Sequence, residues 1–340
     1  MDEAVEYLRK NGEAKAVKKA GRIAAEGIVM ADVKDDKTAA IVEVNSETDF
    51  VAKNAEFQGF VKAVVNQAIA SDSADMDGFM AEAWNEDASK TVQDALNEKI
   101  SVIGEKLSIR RFEKVVTDGC VVSYIHGGGR IGVLVEAETD VVNDEIRSCL
   151  KNVAMQVAAM NPQYISRNDI SDEELAKLRE ITVDSALNDA TTLPKPILNK
   201  LIDKAINEKL WSDDDINNFN EHKNNMNYVW NFLSDAAKAK LGELAMADKE
   251  SIVAEKMFNG LVEGRVSKQL KEICLLDQTY VKAEDGKQSV AKYLESVSKD
   301  LTITEMVRFE VGEGMEKKQE DFAAEVAARW LESKLYLYTD

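Results

Sequence analysis

The chain has 340 residues, with 43 Lys and Arg against 62 Asp and Glu, so its formal net charge at neutral pH is −19. This length predicts about two domains, and so acidic a chain repels phosphate backbones, which argues against direct nucleic-acid binding. The sequence has no uncharged apolar run of about 18 residues and no apolar core of a signal peptide, so neither a membrane partner nor secretion is expected.

The first predicted elements are a basic helical segment, a β-hairpin and a helix. The Lys and Arg residues between Arg9 and Arg22 lack interleaved aromatic residues, which favours a solvated helix face over an RNA contact. Apolar residues then flank the polar turn Lys34–Lys37, as expected for two antiparallel strands. A helix follows, with Asn54 in the position of an N-cap.

A second hairpin and helix repeat this order further along the chain. After a helix at 91–104 and a strand at 107–116, apolar strands flank Gly127–Gly129, which we interpret as a hairpin turn rather than an anion-binding loop. A duplicated β-β-α unit predicts an α+β core of two related subdomains, each an antiparallel sheet with helices packed on it. Five pairs of helix residues share an offset of 89: Asn54, Phe57, Val61, Val64 and Ala68 with Asn143, Ile146, Leu150, Val153 and Val157.

The corner between strand and helix differs in the two copies. It reads Glu-Thr-Asp-Phe-Val from Glu47 and Glu-Thr-Asp-Val-Val from Glu138, so the first copy alone carries a phenylalanine. Taken without further knowledge, Phe50 is interpreted as a core residue, and the Thr and Asp as makers of turn or capping hydrogen bonds.

From Asp172 onwards the pattern becomes helical. Residues 171–273 are helix-periodic, with a break at Leu193–Pro196 and an asparagine-rich patch at 217–227, and strand-like sequence returns near Tyr280 and at Met306–Val311. Two interpretations of this insertion stay open: an arm packed on itself, or a dimerisation surface that would make the chain a homodimer. Within it, one amphipathic helix is predicted from Ile197, Leu198, Leu201, Ile202, Ala205 and Ile206.

The residues give no catalytic signature. The phosphate-binding GxxxxGK[ST] loop, GxSxG and HExxH do not occur, and the chain has two histidines and too many carboxylates for one acid–base pair to be selected. Cys120, Cys149 and Cys274 are odd in number and widely separated, which fits neither a disulfide framework nor a CxxC motif and indicates a reducing compartment. The residues alone therefore predict an acidic, non-enzymatic binding module of the cytoplasm, with no cofactor and no metal.

One segment resembles the signature of a known family. Residues 43–54 read Glu-Val-Asn-Ser-Glu-Thr-Asp-Phe-Val-Ala-Lys-Asn, and this sequence is similar to the signature of the translation elongation factor Ts family. Further matches follow in the right order at 19–27, 123–132, 263–265, 308–314 and 321–328. The resemblance spans about residues 4–329 apart from the helical arm.

The resemblance implies a guanine-nucleotide exchange factor for the GTPase elongation factor Tu, in its GDP-bound and nucleotide-free states. It implies a duplicated α+β core with an inserted helical hairpin arm and a C-terminal helix. It also implies that the corner of Thr48, Asp49, Phe50 and Val51 enters the partner's nucleotide domain and disturbs its magnesium site, so Phe50 becomes an exposed anchor. Further partner contacts are implied for Ile103, Gly104, His126, Asp321, Phe322, Glu325 and Val326.

Two departures from the family accompany this resemblance. Members begin with a small helical domain, whereas this sequence starts roughly at the last helix of that domain, and the arm at 188–250 exceeds the usual hairpin. A second hypothesis is therefore a scaffold that binds the GTPase without exchange, and a third is a hydrolase that uses unrecognised carboxylates. The expected divisions are an N-terminal helical segment (1–23), core subdomain N (24–117), the first part of core subdomain C (118–179), the arm (180–275), the return of subdomain C (276–318) and a C-terminal helical module (319–340).

Overall fold

The computed structural model describes residues 2–316, which form two compact units. The first unit runs to Asn161 and resumes at Tyr280, and the second is Pro162–Thr279. The predicted C-terminal module, with its candidate contacts Asp321, Phe322, Glu325 and Val326, lies outside the described residues. Within residues 2–316, none of the helices combines the length and the apolar character needed to cross a bilayer.

The first half of the first unit begins with a helix and a hairpin, as predicted. Its hairpin turns at Asp35 and Asp36, both with positive φ, and its two long inner helices are capped by Asn54 and Thr91. The elements are α1 (Asp2–Lys19), β1 (Glu26–Lys34), β2 (Thr38–Ser46), α2 (Asp49–Ala52), α3 (Ala55–Ala70), α4 (Met76–Ala81), β3 (Ala83–Trp84), β4 (Asp87–Thr91), α5 (Val92–Ile103) and β5 (Leu107–Val116).

The repeat predicted from the sequence is confirmed in the second half. It comprises β6 (Cys120–His126), β7 (Ile131–Glu138) and α6 (Asp144–Met160). The side chain of Asn143 accepts a hydrogen bond from the amide of Ile146, as an N-cap should. The apolar residues matched by the offset of 89 are all buried in both helices: Phe57, Val61, Val64, Ala68, Ile146, Leu150, Val153 and Val157.

The second unit consists of helices that pack on one another. The segment predicted to be an amphipathic helix forms one, and Ile197, Leu201 and Ile202 are buried in the unit's own apolar core with Leu241 and Phe258. Part of the asparagine-rich patch is helical too, because Ser212 caps a helix that runs to His222. The elements are α7 (Asp172–Asn188), α8 (Lys195–Asn207), α9 (Asp213–His222), α10 (Asp235–Ala247), α11 (Lys249–Val253) and α12 (Lys256–Ile273).

The chain then returns to the first unit through α13 (Val290–Val297) and β8 (Thr302–Glu310). The predicted strand near Tyr280 is wrong, and the last strand begins at Thr302 rather than at Met306. Single hydrogen bonds take the place of a strand ladder there. The amide of Tyr280 donates to the backbone carbonyl of Gln288, and the amide of Val281 donates to the side-chain oxygen Oε1 of Gln156, both at 2.8 Å. The ring of Tyr280 stacks on Tyr293 with 4.1 Å between centroids.

Two antiparallel sheets of the same design form the core of the first unit. Their strand orders are β1-β2-β5 and β6-β7-β8. Both halves share the order β-β-α-α-β, formed by β1, β2, α3, α5 and β5 and by β6, β7, α6, α13 and β8, and the first half adds α2, α4, β3 and β4. The shared unit is one helix and one strand longer than the β-β-α repeat predicted from the sequence. The inner faces meet through Val29, Ile41 and Leu134, and α3 and α6 cover the outer faces. The close approach needs Gly132, because a Cβ there would lie 2.4 Å from Cγ1 of Val29. The α+β prediction is therefore confirmed.

Candidate partner-binding site

The corner at the end of β2 displays Phe50 on a single helical turn, α2. The Phe50 side chain is 79% exposed, the largest value among the described large apolar residues. Its neighbour Val51 points the other way and is 9% exposed in the core beneath the first sheet. The turn is therefore anchored from below while Phe50 projects into solvent, so the interpretation of Phe50 as a core residue is wrong.

The end of this turn is fixed by backbone hydrogen bonds and by an ion pair. The amides of Lys53 and Asn54 donate to the carbonyls of Phe50 and Val51 at 3.2 and 2.9 Å. The ammonium of Lys53 lies 2.7 Å from Oδ2 of Asp49, and this hydrogen bond lowers the pKa of the Asp49 carboxyl. Asp49 itself is exposed, so its charge faces any protein that contacts Phe50.

The start of the turn is held by a glutamate from the connection between α5 and β5. Glu105 Oε2 accepts from the amide of Thr48 at 3.0 Å, and its Oε1 accepts from the Thr48 hydroxyl at 2.7 Å. Thr48 stands at the N-cap position of α2, yet its side chain makes no capping hydrogen bond to its own helix. Glu105 thus uses both of its oxygens to fix one residue of the corner, 57 positions away.

Neighbouring residues connect the Thr48–Val51 corner, the connection 104–106 and the segment after α1. The amide of Lys106 donates to Oε1 of Glu47 at 2.6 Å, and the ammonium of Lys106 donates to the carbonyls of Ala20 and Arg22 at 2.7 Å each. Arg22 also forms an ion pair with Glu47, with 3.1 Å between Nη1 of Arg22 and Oε1 of Glu47. The corner, the connection 104–106 and the segment after α1 therefore form one hydrogen-bonded network.

Two of the predicted contacts, Ile103 and Gly104, lie at the edge of this network. Ile103 is the last residue of α5 and packs partly against the core of the first sheet. Gly104 has φ of +85°, the left-handed conformation that ends many helices, and it is exposed. Because Glu105 follows directly, the structure links this helix end to the Thr48–Val51 corner.

His126 ends β6 in the second half of the repeat and is exposed. Its Nδ1 lies 3.0 Å from the hydroxyl of Tyr124. The turn after it, Gly127–Gly129, has positive φ at all three glycines, which confirms a hairpin turn. A cleft of about 230 Å³ has residues of this turn on one side and Asp49 and Lys53 on the other.

Behind the corner lies a fully buried carboxylate, Glu43, on the inner face of β2. Arg110 Nη1 and Arg111 Nε donate to it at 3.0 and 2.6 Å, and so do Asn45 Nδ2 and the amide of Gly312 at 3.0 and 2.8 Å. Burial raises the pKa of Glu43, but these hydrogen bonds and the charge of Arg111 outweigh burial, so the net pKa is lowered. Glu43 thereby joins β2 and β5 to the end of β8.

Sequence reasoning found the exposed corner but not what holds it. Glu105, Lys106 and Lys53 were not selected, and Lys53 carried a local signal, since it lies four residues after Asp49 within one helical turn. Glu105 carried none, because its partner is distant in the sequence. Within residues 2–316, no group of three or more His, Cys, Asp or Glu side chains is placed to hold a metal ion.

The fold and this corner define a class: a duplicated α+β protein that presents an exposed aromatic side chain on a fixed turn. Exposed aromatics in such positions are typical of binding surfaces. The family model described as Elongation factor TS matches residues 47–218 and 232–313. The chain belongs to the elongation factor Ts family, and its role is that of a translation elongation factor.

Relatives from several bacteria support this assignment. Elongation factor Ts of Clostridioides difficile is 42% identical over 330 residues, which cover 96% of this chain and 88% of that protein. The proteins of the same name from Halothermothrix orenii and Trichlorobacter lovleyi are 38% and 40% identical over 96% of this chain and 87% and 88% of their own lengths. The family match leaves out residues 219–231, in the second unit.

Proposed function

We propose that this chain binds the GTPase elongation factor Tu in its GDP-bound state and promotes GDP release in the cytoplasm. The observation that carries the proposal is the 79% exposure of Phe50 on a turn whose next residue, Val51, is buried. In the proposed mechanism, Asp49 and Phe50 enter the partner's nucleotide domain and disturb its magnesium site. The chain makes and breaks no covalent bond, so it acts by binding and not as an enzyme.

Exchange sets an energetic requirement on the surface. A ligand shifts an equilibrium only through its different affinities for two states, so a factor that weakens GDP binding must itself be weakened by GDP. A shift of about 10⁴ needs about 5.5 kcal/mol, whereas burial of one Phe side chain contributes about 1.5–3 kcal/mol. Phe50 therefore needs the other proposed contacts, Ile103, Gly104 and His126, together with the loss of magnesium coordination.

The test is stopped-flow release of a fluorescent GDP analogue from elongation factor Tu at fixed magnesium, with and without the chain. We expect marked acceleration by the wild type and a reduction of about 10- to 100-fold with Phe50→Ala, from the burial energy of one Phe. The unfolding free energy of Phe50→Ala should stay within about 0.5 kcal/mol of the wild type, because the side chain is exposed.

Val141→Ala is the matched control, since Val141 is the exposed apolar residue of the second corner, at 58%. It should leave exchange unchanged. Saturable binding of the wild-type chain without faster GDP release would instead support a scaffold that holds the GTPase. Equal losses of stability and exchange in Phe50→Ala would contradict the anchoring role.

A further inference from the structure

We infer that Glu105 is the positioning residue of the Phe50 corner: its carboxylate fixes Thr48 and thereby presents Phe50 in a binding-ready conformation. This inference rests on the proposed function, because positioning has a consequence only where the corner contacts a partner. Glu105 is not placed among the contact residues themselves.

The first argument is the weakness of the turn that carries Phe50. Helix α2 has four residues, Asp49–Ala52, and a helix this short has no intrinsic stability in water. The hydroxyl of its N-cap residue, Thr48, donates a hydrogen bond to Glu105 and makes no capping hydrogen bond to α2. The conformation therefore depends on the burial of Val51 and on hydrogen bonds from flanking residues. Ser46 Oγ donates to the Thr48 carbonyl at 2.9 Å and Gln58 Nε2 to the Ala52 carbonyl at 3.1 Å. Glu105, which accepts from Thr48, is the support that comes from a distant part of the chain.

The second argument is the kind of bond that Glu105 makes. A carboxylate that accepts from both an amide and a hydroxyl makes charge-assisted hydrogen bonds, which are about twice as strong as neutral ones. Both distances, 3.0 Å from the amide and 2.7 Å from the hydroxyl, are those of well-formed hydrogen bonds, and the contacts are partly buried. The backbone of Glu105 is itself fixed, because the adjoining residues Gly104 and Lys106 are hydrogen-bonded to Lys19 and to Glu47.

The third argument comes from the second half of the repeat, where the fold is built without this contact. The Thr139 hydroxyl, which occupies the place of Thr48, donates to the carbonyl of Val141 at 3.0 Å within its own corner. A strand-to-helix corner of this protein thus folds on local hydrogen bonds. The long-range contact from Glu105 belongs to the copy that exposes Phe50, which separates positioning from a general need of the fold.

A corner without Glu105 must be ordered when the partner binds. Fixing the backbone of a residue on binding has an entropic cost, so we expect the concentration of Glu105→Ala that gives half-maximal GDP release to rise about tenfold. The maximal rate at saturation should remain near that of the wild type, because the contacts of Phe50 are unchanged once it is bound.

Amide hydrogen exchange tests the same inference in the free chain, without any partner. In Glu105→Ala the amides of Thr48, Lys53 and Asn54 should lose about tenfold of their protection, while those of α3 and α6 keep theirs. Glu105→Gln should restore part of both effects, because its carbonyl can accept from the Thr48 amide and its NH₂ group can donate to the Thr48 hydroxyl.

Glu174→Ala is the matched control in the second unit. Glu174 Oε2 also accepts from an amide and a hydroxyl of one residue, Ser171, at 3.0 and 2.8 Å. It should lose local protection at Ser171 and leave both the corner amides and GDP release unchanged.

The outcomes separate the two proposals. If the wild-type chain fails to accelerate GDP release, the proposed function is wrong, and hydrogen exchange still tests whether Glu105 orders the corner. If the wild type is active but Glu105→Ala keeps its corner protection or its half-maximal concentration, the positioning role is wrong. Loss of protection throughout the first sheet would also overturn it, because Glu105 would then be a general stabiliser.

Discussion

The two strand-to-helix corners of the repeat begin with the same three residues and end in different structures. Both read Glu-Thr-Asp and both lead to an asparagine that caps a helix. Four residues, 50–53, separate Asp49 from Asn54, whereas two residues, 141–142, separate Asp140 from Asn143. The two additional residues allow the turn α2, which lifts Phe50 away from the sheet.

The difference shows how a duplicated fold acquires an exposed aromatic side chain in one of its copies. The second corner passes directly from strand to helix, with Val141 exposed and Thr139 bonded within the corner. The first corner has a longer link, a larger apolar side chain and a glutamate from a distant connection that fixes it. Two additional residues therefore change which side chain a corner exposes, while a sheet strand precedes it and an Asn-capped helix follows it in both copies.

The largest effect is expected when the first corner is converted into the second. Replacing Phe50–Lys53 by the two valines of the second corner removes the turn and the aromatic side chain together. We expect GDP release to lose all measurable acceleration, whereas the unfolding free energy falls by about 2 kcal/mol, since buried Val51 is lost. Stopped-flow release and denaturant unfolding measure the two quantities.

The reciprocal variant, in which Val141–Val142 is replaced by Phe-Val-Ala-Lys, controls for chain length and composition. It should restore no exchange when combined with the shortened first corner, because its flanking residues lack a counterpart of Glu105 bonded to the threonine. If the chain with the shortened first corner still accelerates GDP release, the turn α2 is not needed for exchange and the proposed role of the Phe50 corner is wrong.

The corner comparison also shows what sequence could predict. The offset of 89 between the helices and of 91 between the corners could be read from the printed residues, and it indicates an insertion of two residues. Asn54 and Asn143 gave the helix starts because capping is local. The order of β5 and β8 at the sheet edges, and the bond from Glu105 to Thr48, depend on tertiary packing and had no such signal.

The prediction of a strand near Tyr280 was wrong for a related reason: it depends on tertiary packing. A strand-like segment forms a strand only where a partner strand is present. At this place the amide of Tyr280 makes one backbone hydrogen bond, to Gln288, and the amide of Val281 donates to the Gln156 side chain. The resemblance implied that Phe50 is exposed, as it is in the structure, whereas the residues alone favoured a core position. The exposure of a side chain at such a corner depends on the length of the link between strand and helix and on the residues that pack around it. The periodicity of the sequence contains neither.

A smaller effect, on stability, is expected from the inner faces of the two sheets. Glu43 and Leu134 lie 91 positions apart on corresponding strands, and both are buried between the sheets. The variant Glu43→Leu makes the two faces alike. It removes the acceptor of the Gly312 amide and the buried partner of Arg110 and Arg111, which keep only their hydrogen bonds to Glu310 and Glu313. We expect a loss of about 3 kcal/mol, the lower end for a broken buried pair, because both arginines keep some contact with solvent.

The lowered pKa of Glu43 predicts how its contribution to the free energy of unfolding changes with pH. Its pKa in the folded chain is lowered from 4.5, so its stabilising contribution is present above that value and is lost as the pH falls through the lower folded pKa. Denaturant unfolding should therefore show a gap between the wild type and Glu43→Gln that is wide at pH 7 and narrows in acid. A constant gap would mean that shape, and not charge, makes Glu43 necessary.

The smallest effect is expected at a cross-strand pair that the two sheets fill differently. Asn45 faces Ser108 in the first sheet, and at the matching place Glu136 faces Glu305 in the second. Burial, followed by the charges of Glu136 and Glu113, raises the pKa of Glu305. A carboxyl with a raised folded pKa contributes stability below its unfolded pKa and loses it as the pH rises, so the ionised pair weakens the second sheet at pH 7.

Glu305→Gln should therefore raise the unfolding free energy by a few tenths of a kcal/mol at pH 7, the size expected for relief of one like-charge cross-strand pair. The gain should shrink as the pH falls through the raised pKa of folded Glu305, because the wild-type carboxyl then becomes protonated. Glu295→Gln, at an exposed glutamate of α13, measures the general benefit of removing one negative charge from a chain of net charge −19. If both variants raise the free energy of unfolding equally, the gain comes from the lower overall charge. The Glu136–Glu305 pair would then not destabilise the second sheet.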